Sequence, residues 1–183
     1  MITRPAFVLG SPSDLVLRPE GDGDADEIRR VLVAAFGGDA EARLVEALRN
    51  HAALVASLVA CAAGEIVGHL AFSPMHADGQ PDRRDLLGLA PVAVHPQWQQ
   101  RGIGSALLRT GLDECRRRAV AAVFVLGDPE FYSRFGFRSG HVGGLSCVFP
   151  APAGAFQVLP ICGALGSLPS GLIRYRPEFD SFL

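Results

Sequence analysis

Short apolar runs separated by polar turns predict most of the strands of this chain. Residues 15–19 form an apolar run that stops at a proline, which predicts a short first strand. The runs at 54–61 and 66–72 flank a Gly-containing turn and predict a hairpin. A fourth strand is predicted at 86–94. The run at 120–126 is apolar throughout, as expected of a fifth strand that is buried on both faces.

Three amphipathic helices are predicted between these strands. Apolar residues recur at helical spacing over 24–36, 39–50 and 103–118. The last of these helices joins the fourth and fifth strands, so we expect the two strands to be parallel across a right-handed crossover. Aspartates that can cap the first two helices through their side chains precede them: Asp22, Asp24 and Asp39.

The two ends of the chain carry weaker patterns. Residues 1–14 show little periodicity and are interpreted as an N-terminal extension, which leaves 15–183 as a single domain. The polar stretch 77–84 predicts a surface loop. After residue 139, glycines and prolines alternate with short apolar runs, which predict two or three final strands completing the sheet. The fold class is therefore α+β.

Pro91 lies within the predicted fourth strand, where it cannot donate to a sheet ladder. A proline in a strand belongs at an edge or at a bulge. We therefore expect pairing to be interrupted here, leaving backbone groups of Val92, Ala93 and Val94 without strand partners.

Gly102 and Gly104 open the helix that follows this strand. They lack a Cβ, so a ligand can approach the backbone, and the free N–H groups of the first helical turn suit a phosphate. Two nucleotide-binding patterns fail on specific residues. Leu107 stands where a dinucleotide fold has its third glycine, and a P-loop is excluded because the chain contains no lysine.

The segment 99–104, Gln-Gln-Arg-Gly-Ile-Gly, matches the Gln/Arg-x-x-Gly-x-Gly/Ala signature of the GCN5-related N-acetyltransferases (GNAT). Together with Val-Ala-Val-His-Pro at 92–96 and Phe-Tyr-Ser-Arg-Phe-Gly-Phe at 131–137, it makes the chain resemble this superfamily. The sequence of residues 125–137 resembles that of the YhbS-type branch of predicted N-acetyltransferases. The resemblance implies a mixed, mostly antiparallel sheet splayed between strands 4 and 5 and flanked by helices.

The resemblance also implies a cofactor site. Acetyl-CoA would be the co-substrate, with its pantetheine arm paired to the strand backbone at Val92, Ala93 and Val94. Its pyrophosphate would be held by a contiguous segment made up of Gln99, Gln100, Arg101, Gly102, Ile103, Gly104 and Ser105. No metal is implied.

Tyr132 is the candidate catalytic residue, because it matches the tyrosine of the family pattern Tyr-x-x-x-Gly-Phe. When an amine attacks a thioester, the departing thiolate has a pKa near 8.5, and a phenol of pKa near 10 is a competent proton donor to it. The alternative is a half-buried aromatic that only packs against Phe131 and Phe135.

The acceptor is expected to be a primary amine, carried by a small molecule or a peptide. In acetyltransferases of this kind the elbow between the first two helices helps to form the acceptor pocket, which directs attention to Phe36, Asp39, Glu41 and Arg43. The alternative is that these residues belong to two amphipathic helices packed on a sheet, with no contact to a substrate.

Two departures from the superfamily pattern bear on the chemistry. Val125 stands where an asparagine often contacts pantetheine, and neither central strand offers the glutamate that commonly deprotonates the amine. The base is left unassigned among four candidates, which are Glu41, His69, His95 and Asp128. The missing glutamate also favours a second hypothesis, a non-catalytic acyl-CoA-binding or regulatory module on the same fold.

Composition excludes several other classes. A net charge of -2 without a long basic run gives no footprint for nucleic acid. No apolar run is long enough for a bilayer and no secretory signal is evident, so we expect no membrane association and a cytoplasmic protein. The four cysteines are widely spaced, which favours free thiols over a metal site. The chain has no Gly-x-Ser-x-Gly elbow, which argues against a hydrolase. A homodimer is left open.

Overall fold

The structure is a computed structural model, which describes residues 15–80, 83–163, 168 and 170–182. The predicted N-terminal extension, 1–14, lies outside the described residues. Within them, no helix is both long enough and apolar enough to cross a membrane.

A seven-stranded sheet forms the centre of the fold, and its strand order is β1-β2-β3-β5-β6-β9-β7. Every neighbouring pair is antiparallel except β5 and β6, which run parallel as predicted. The predicted fourth and fifth strands are β5 and β6, because a two-residue strand, β4 (His76–Ala77), precedes them. The strands of the sheet are β1 (Val16–Pro19), β2 (Ala56–Ala62), β3 (Glu65–Pro74), β5 (Leu86–Val94), β6 (Ala122–Leu126), β7 (Arg138–Ser139) and β9 (Phe156–Pro160).

Helices cover both faces of this sheet. The helices are α1 (Ala25–Phe36), α2 (Ala40–Asn50), α3 (Ile103–Arg117) and the short α4 (Pro129–Tyr132). The apolar face of α3 packs through Leu107 and Leu108 on one side of the sheet, whereas α1 and α2 share a separate cluster on the other side, built around Ile28 and Val45. The predicted flanked sheet is thus confirmed.

The predicted side-chain caps of the first two helices are wrong. Asp24 and Asp39 stand at the cap positions, but neither side chain bonds to its helix. The Asp24 carboxylate instead accepts from Arg18 Nη2 at 3.0 Å, and this ion pair lowers its pKa. The Asp39 Oδ1 atom lies 3.5 Å from Arg43 Nη2. A nearby guanidinium competes with backbone amides for the same carboxylate oxygens.

The sheet opens between β5 and β6. These two strands pair through three residue pairs only, of which the last joins Gly88 to Phe124. On its other side β5 pairs with β3, with a register shift where Leu89 lies opposite Phe72 and Val92 opposite Leu70. The bulge falls at Pro91, whose peptide bond with Ala90 is cis. The predicted interruption at Pro91 and the predicted splay are both confirmed, but Val92, Ala93 and Val94 remain paired with β3, so these residues lack a strand partner only on the side that faces β6.

The C-terminal region differs from the prediction of two or three strands completing one sheet. Among the described residues four short strands follow α4, and two of them, β7 and β9, join the main sheet. A second sheet has the order β4-β10-β8, made of β4 (His76–Ala77), β8 (Leu145–Cys147) and β10 (Gly171–Arg174). Part of β4 lies in the stretch predicted as a surface loop. Strands of two to four residues are too short to show a period.

Candidate active site

The start of α3 presents unpaired backbone amides. Gly102 precedes the helix with φ of 80°, a left-handed conformation that favours glycine. The first amide bonded within the helix is that of Ala106, which donates to Gly102 O at 2.9 Å. Across the described residues, the amides of Ile103, Gly104 and Ser105 find no backbone acceptor. These free donors and the positive end of the helix dipole favour an anion.

The open edge of β5 presents only part of its backbone to the gap. The amide of His95 donates to Val67 O at 2.9 Å, so alternation along the antiparallel ladder makes Ala93 the next residue that bonds to β3. The backbone groups of Val92 and Val94 therefore face β6 across the opening. One of them, the Val94 carbonyl, accepts from Gln99 Nε2 at 3.0 Å.

Tyr132 is held beside the same opening by aromatic packing. Asp128 caps α4 by accepting from the Glu130 amide at 2.9 Å. The Tyr132 ring packs edge-on against Phe131 and Phe137, with centroid distances of 5.0 and 5.6 Å. A side chain at Gly127 would collide with this ring.

Burial raises the pKa of the Tyr132 phenol to about 12, and the Asp128 charge adds to the shift. The phenol therefore remains protonated throughout the neutral pH range. It is therefore in the form that can donate a proton.

One cavity of about 940 Å³ connects these features. It runs from the α3 amides along the opening between β5 and β6 to Tyr132, and continues to the elbow between α1 and α2. The predicted residues that line it are Val92, Val94, Gln99, Gln100, Gly102, Ile103, Gly104, Ser105 and Tyr132.

Ala93 and Arg101 are not brought into this cavity. The Ala93 side chain is 2% exposed and packs in the cluster beneath α1. The Arg101 guanidinium lies over the Trp98 ring, 5.0 Å from its centroid. Side chains alternate between the two faces of a strand, so the Ala93 side chain points away from the cavity. The cation–π contact with Trp98 holds the Arg101 side chain outside it.

Of the four residues predicted at the elbow between α1 and α2, two line the cavity and two do not. Phe36 and Glu41 line the cavity, whereas Asp39 and Arg43 form an ion pair outside it. Asp39 also lies 3.7 Å from Arg29. Sequence spacing alone could not separate the two pairs, because all four residues surround the same Gly-Gly turn.

The four candidate bases are separated by position. Glu41 and Asp128 line the cavity. His95 lines a different, smaller depression beside Glu27 and Glu65. His69 is fully buried in β3, on the side of the sheet that α1 and α2 cover.

A buried polar network surrounds His69. The Ser57 hydroxyl donates to the Glu20 carboxylate, so His69 Nε2, 2.8 Å from the Ser57 oxygen, must be the donor to it. Among the described residues His69 Nδ1 finds no partner. Burial lowers the pKa of His69 to about 4, with an opposing contribution from Glu20 and a smaller lowering by Arg49. His69 is therefore neutral at pH 7.

Sequence reasoning missed an aromatic cluster on the far side of the cavity. Tyr175 packs against Phe149 and Phe179, with ring centroids 5.4 and 4.8 Å away, and all three line the cavity. The Tyr175 ring lies against Gly88, where a Cβ would come within 2.9 Å of it. No local pattern marked these residues, because they follow strands of three and four residues.

Residues 17–140 match the family model described as the acetyltransferase (GNAT) domain. The chain belongs to this family of acetyltransferases. It is 37% identical over 171 residues to the uncharacterized N-acetyltransferase YhbS of Escherichia coli strain K12, covering 92% of this chain and all of YhbS. The predicted YhbS-like branch is confirmed.

Two solved structures share the fold of this acetyltransferase. The YhbS structure from E. coli, described as a complex with CoA, superposes with a TM-score of 0.85 at 35% identity, covering 98% of this chain and 96% of that one. A GNAT acetyltransferase from Brucella melitensis, described as a complex with acetyl-CoA, gives 0.77 at 36% identity, covering 91% and 98%. No group of three or more His, Cys, Asp or Glu side chains within the described residues is arranged to hold a metal.

Proposed function

We propose that this acetyltransferase transfers the acetyl group of acetyl-CoA to a primary amine by direct attack. The observation that carries the proposal is the continuous cavity from the free α3 amides, along the opening between β5 and β6, to the protonated phenol of Tyr132. The relatives solved with CoA and with acetyl-CoA support the same co-substrate here.

The cofactor would lie along the residues that line this path. Its diphosphate would accept from the amides at Ile103, Gly104 and Ser105, where donors and dipole coincide. Its pantetheine amides would pair with the backbone of Val92 and Val94, as an added strand does. Ala93 and Arg101 are left out of the proposed cofactor site because neither lines the cavity.

The chemical step forms a C–N bond and breaks a C–S bond. The neutral amine attacks the thioester carbonyl carbon, the tetrahedral intermediate loses a proton from nitrogen, and the C–S bond breaks. Tyr132 gives its proton to the departing sulfur and is reprotonated by solvent. One CoA thiol, one amide and one proton result from one acetyl-CoA and one ammonium ion. Glu41 and Asp128, the candidate bases that line the cavity, are the carboxylates that would receive the ammonium proton.

The test compares the wild type with Tyr132→Phe, which removes only the hydroxyl. We expect kcat for thiol release from acetyl-CoA with primary amines to fall about a hundredfold, the usual contribution of a general acid. CoA affinity, measured by calorimetry, should not change. Full activity in the variant would remove Tyr132 from the mechanism. CoA binding without thiol release by the wild type, across a broad panel of amines, would favour the non-catalytic module instead.

A further inference from the structure

The cavity continues beyond the opening between β5 and β6 into a space with two walls from distant parts of the chain. We name this space the acceptor chamber. One wall comes from the α1–α2 elbow and the other from the C-terminal region, and its lining consists of Phe36, Glu41, Leu44, Phe149, Tyr175 and Phe179. The chemistry of these side chains determines which class of acceptor the chamber can bind.

The C-terminal wall is aromatic and anchored. Tyr175 and Phe179 are 8% and 6% exposed and share a core cluster with Leu44 of α2. Glu178 lies between them in sequence and is 2.9 Å from His51 at the end of α2 and 2.8 Å from Arg176. The Arg176 guanidinium, helped by His51, lowers the pKa of Glu178 to about 2, so the Glu178 carboxylate is ionised at neutral pH. The wall is therefore a fixed apolar surface.

The aromatic wall lies close to the reacting end of the cofactor path. Gly88 is the last β5 residue that pairs with β6, and the Tyr175 ring lies directly against it. An acceptor held on this ring would therefore stand where the two strands separate. The Tyr175 hydroxyl is enclosed and finds no partner in the described part of the chain, so the part of this side chain that is left to line the cavity is its apolar ring.

The elbow wall adds one negative charge to this apolar space. Glu41 precedes Leu44 by three residues on α2, so the two share a helix face, and Leu44 packs in the cluster of the aromatic wall. Phe36 is 45% exposed, although large apolar side chains of the described residues are mostly buried. An exposed ring and a half-buried carboxylate that line the same cavity suit a ligand with an apolar body and a cationic head.

Glu41 has no cationic partner within the described residues, whereas Asp39 and Glu46, the acids on either side of it, do. Arg29 binds Glu46 at 2.7 Å, and Asp39 lies near both Arg29 and Arg43. The arginine that lines the cavity is Arg134, which stands over the Phe131 and Phe135 rings beside α4 and not in the chamber. The charge of the chamber is thus negative, and an acceptor that carries its own carboxylate would be repelled.

We propose that the acceptor chamber binds a primary monoamine with an aromatic or compact apolar body and no carboxylate. Its ammonium lies against Glu41 and its body against Phe36 and Tyr175. This inference rests on the proposed function for its direction, because it places the amine next to the proposed acetyl site. The chamber should bind such amines in preference to amino acids, which add a negative charge. It should also disfavour polyamines, which would place a second positive charge on an apolar wall.

The first experiment compares three acceptors with the whole protein and acetyl-CoA. 2-Phenylethylamine and L-phenylalanine differ only in the carboxylate, and cadaverine carries a three-carbon chain that ends in a second ammonium in place of the ring. We expect kcat/KM for thiol release to be at least about tenfold higher with 2-phenylethylamine than with either of the others, which corresponds to about 1.4 kcal/mol. Equal or higher values with L-phenylalanine or cadaverine would overturn the inference while leaving the proposed transfer intact.

The second experiment uses Glu41→Gln, which keeps the shape and removes the charge. We expect the KM for 2-phenylethylamine to rise about tenfold and the KM for acetyl-CoA to stay the same. The preference for 2-phenylethylamine over L-phenylalanine should shrink, because repulsion of the carboxylate is removed with the charge. A merely structural role of Glu41 would leave that ratio unchanged. Glu65→Gln, at the exposed β2–β3 turn outside the cavity, is the matched control and should alter none of these values.

A binding measurement keeps the inference testable without turnover. Calorimetry of 2-phenylethylamine into the CoA-loaded protein should detect an interaction that weakens about tenfold in Glu41→Gln. Binding that is absent, or equal in the two proteins, would overturn the inference. Absence of thiol release with every amine, with this binding preserved, would instead count against the proposed transfer alone.

Discussion

The cofactor path and the acceptor chamber belong to one cavity, but the chain builds them in different ways. The path comes from one nearly continuous stretch, residues 86–137, in which a strand, a helix start and a short helix follow one another. The chamber joins the elbow at residues 36–44 to side chains from 149–179. The path therefore depends on local chemistry, whereas the chamber depends on long-range packing, and the two should respond differently to substitution.

Acidification should act on the chamber side, because His69 is buried beneath α1 and α2. Its folded pKa of about 4 lies below the value of about 6.5 for an unfolded histidine. Above pH 6.5 both states are neutral and the stabilising contribution is complete. As pH falls towards 4, only the unfolded state takes up the proton, so the free energy of unfolding should drop by about 3 kcal/mol.

Urea titrations between pH 4 and 7.5 measure this loss, and His69→Gln isolates it from the titration of carboxylates. The variant has no imidazole to protonate. The difference in the free energy of unfolding between the wild type and His69→Gln should therefore narrow as pH falls. Parallel stability curves would show that His69 does not carry the loss.

Gly127→Ala should damage the path without changing acceptor choice. The added methyl collides with the Tyr132 ring and displaces the phenol from the end of the path. We expect kcat for thiol release to fall about a hundredfold for every amine, as removal of a general acid does. The ratios between amines should stay constant, and a change in those ratios would show that Tyr132 also shapes the chamber.

Gly88→Ala should produce the converse result. Its Cβ would come within 2.9 Å of the Tyr175 ring and 3.0 Å of the Met75 sulfur, on the chamber side of β5. We expect the KM for the amine to rise about tenfold through the displaced ring, equivalent to about 1.4 kcal/mol. CoA affinity by calorimetry should be retained. Loss of CoA binding together with amine binding would mean that the two regions are not separable at this strand.

Gly104→Ala should give the smallest effect and affect only the path. Its Cβ would make ordinary contact with Val94 at 3.6 Å, so the fold has room for it, and alanine favours the helix. The methyl would lie in the cavity where the diphosphate is proposed to approach the backbone. We expect CoA affinity by calorimetry to weaken about fivefold, or about 1 kcal/mol. Unchanged affinity would place the diphosphate elsewhere.

The same contrast explains what the sequence could predict. Pro91 must interrupt a ladder, Gly102 leaves the backbone open to a ligand and Tyr132 matches a motif, so each could be singled out from its neighbours in the chain. Tyr175 and Phe149 gave no such signal, because their position depends on the second sheet, whose strands are two to four residues long.

The two helix caps failed for a related reason. The Asp24 side chain binds Arg18 in place of the first helical turn. Asp39 lies among arginines of both helices. A propensity rule accounts for the backbone next to a residue but not for a guanidinium that tertiary structure brings close. Glu41 could be named from its place at the elbow, but its lack of a partner emerged only from the packed structure.

The tie between His51 and Glu178 has a practical consequence for work with this protein. Fusions or truncations near the end of the chain would pull on the segment that carries Phe179, and substrate preference could shift although folding and cofactor uptake look normal. A purification tag that alters acceptor choice when moved from one terminus to the other would reveal this tie without any point mutation.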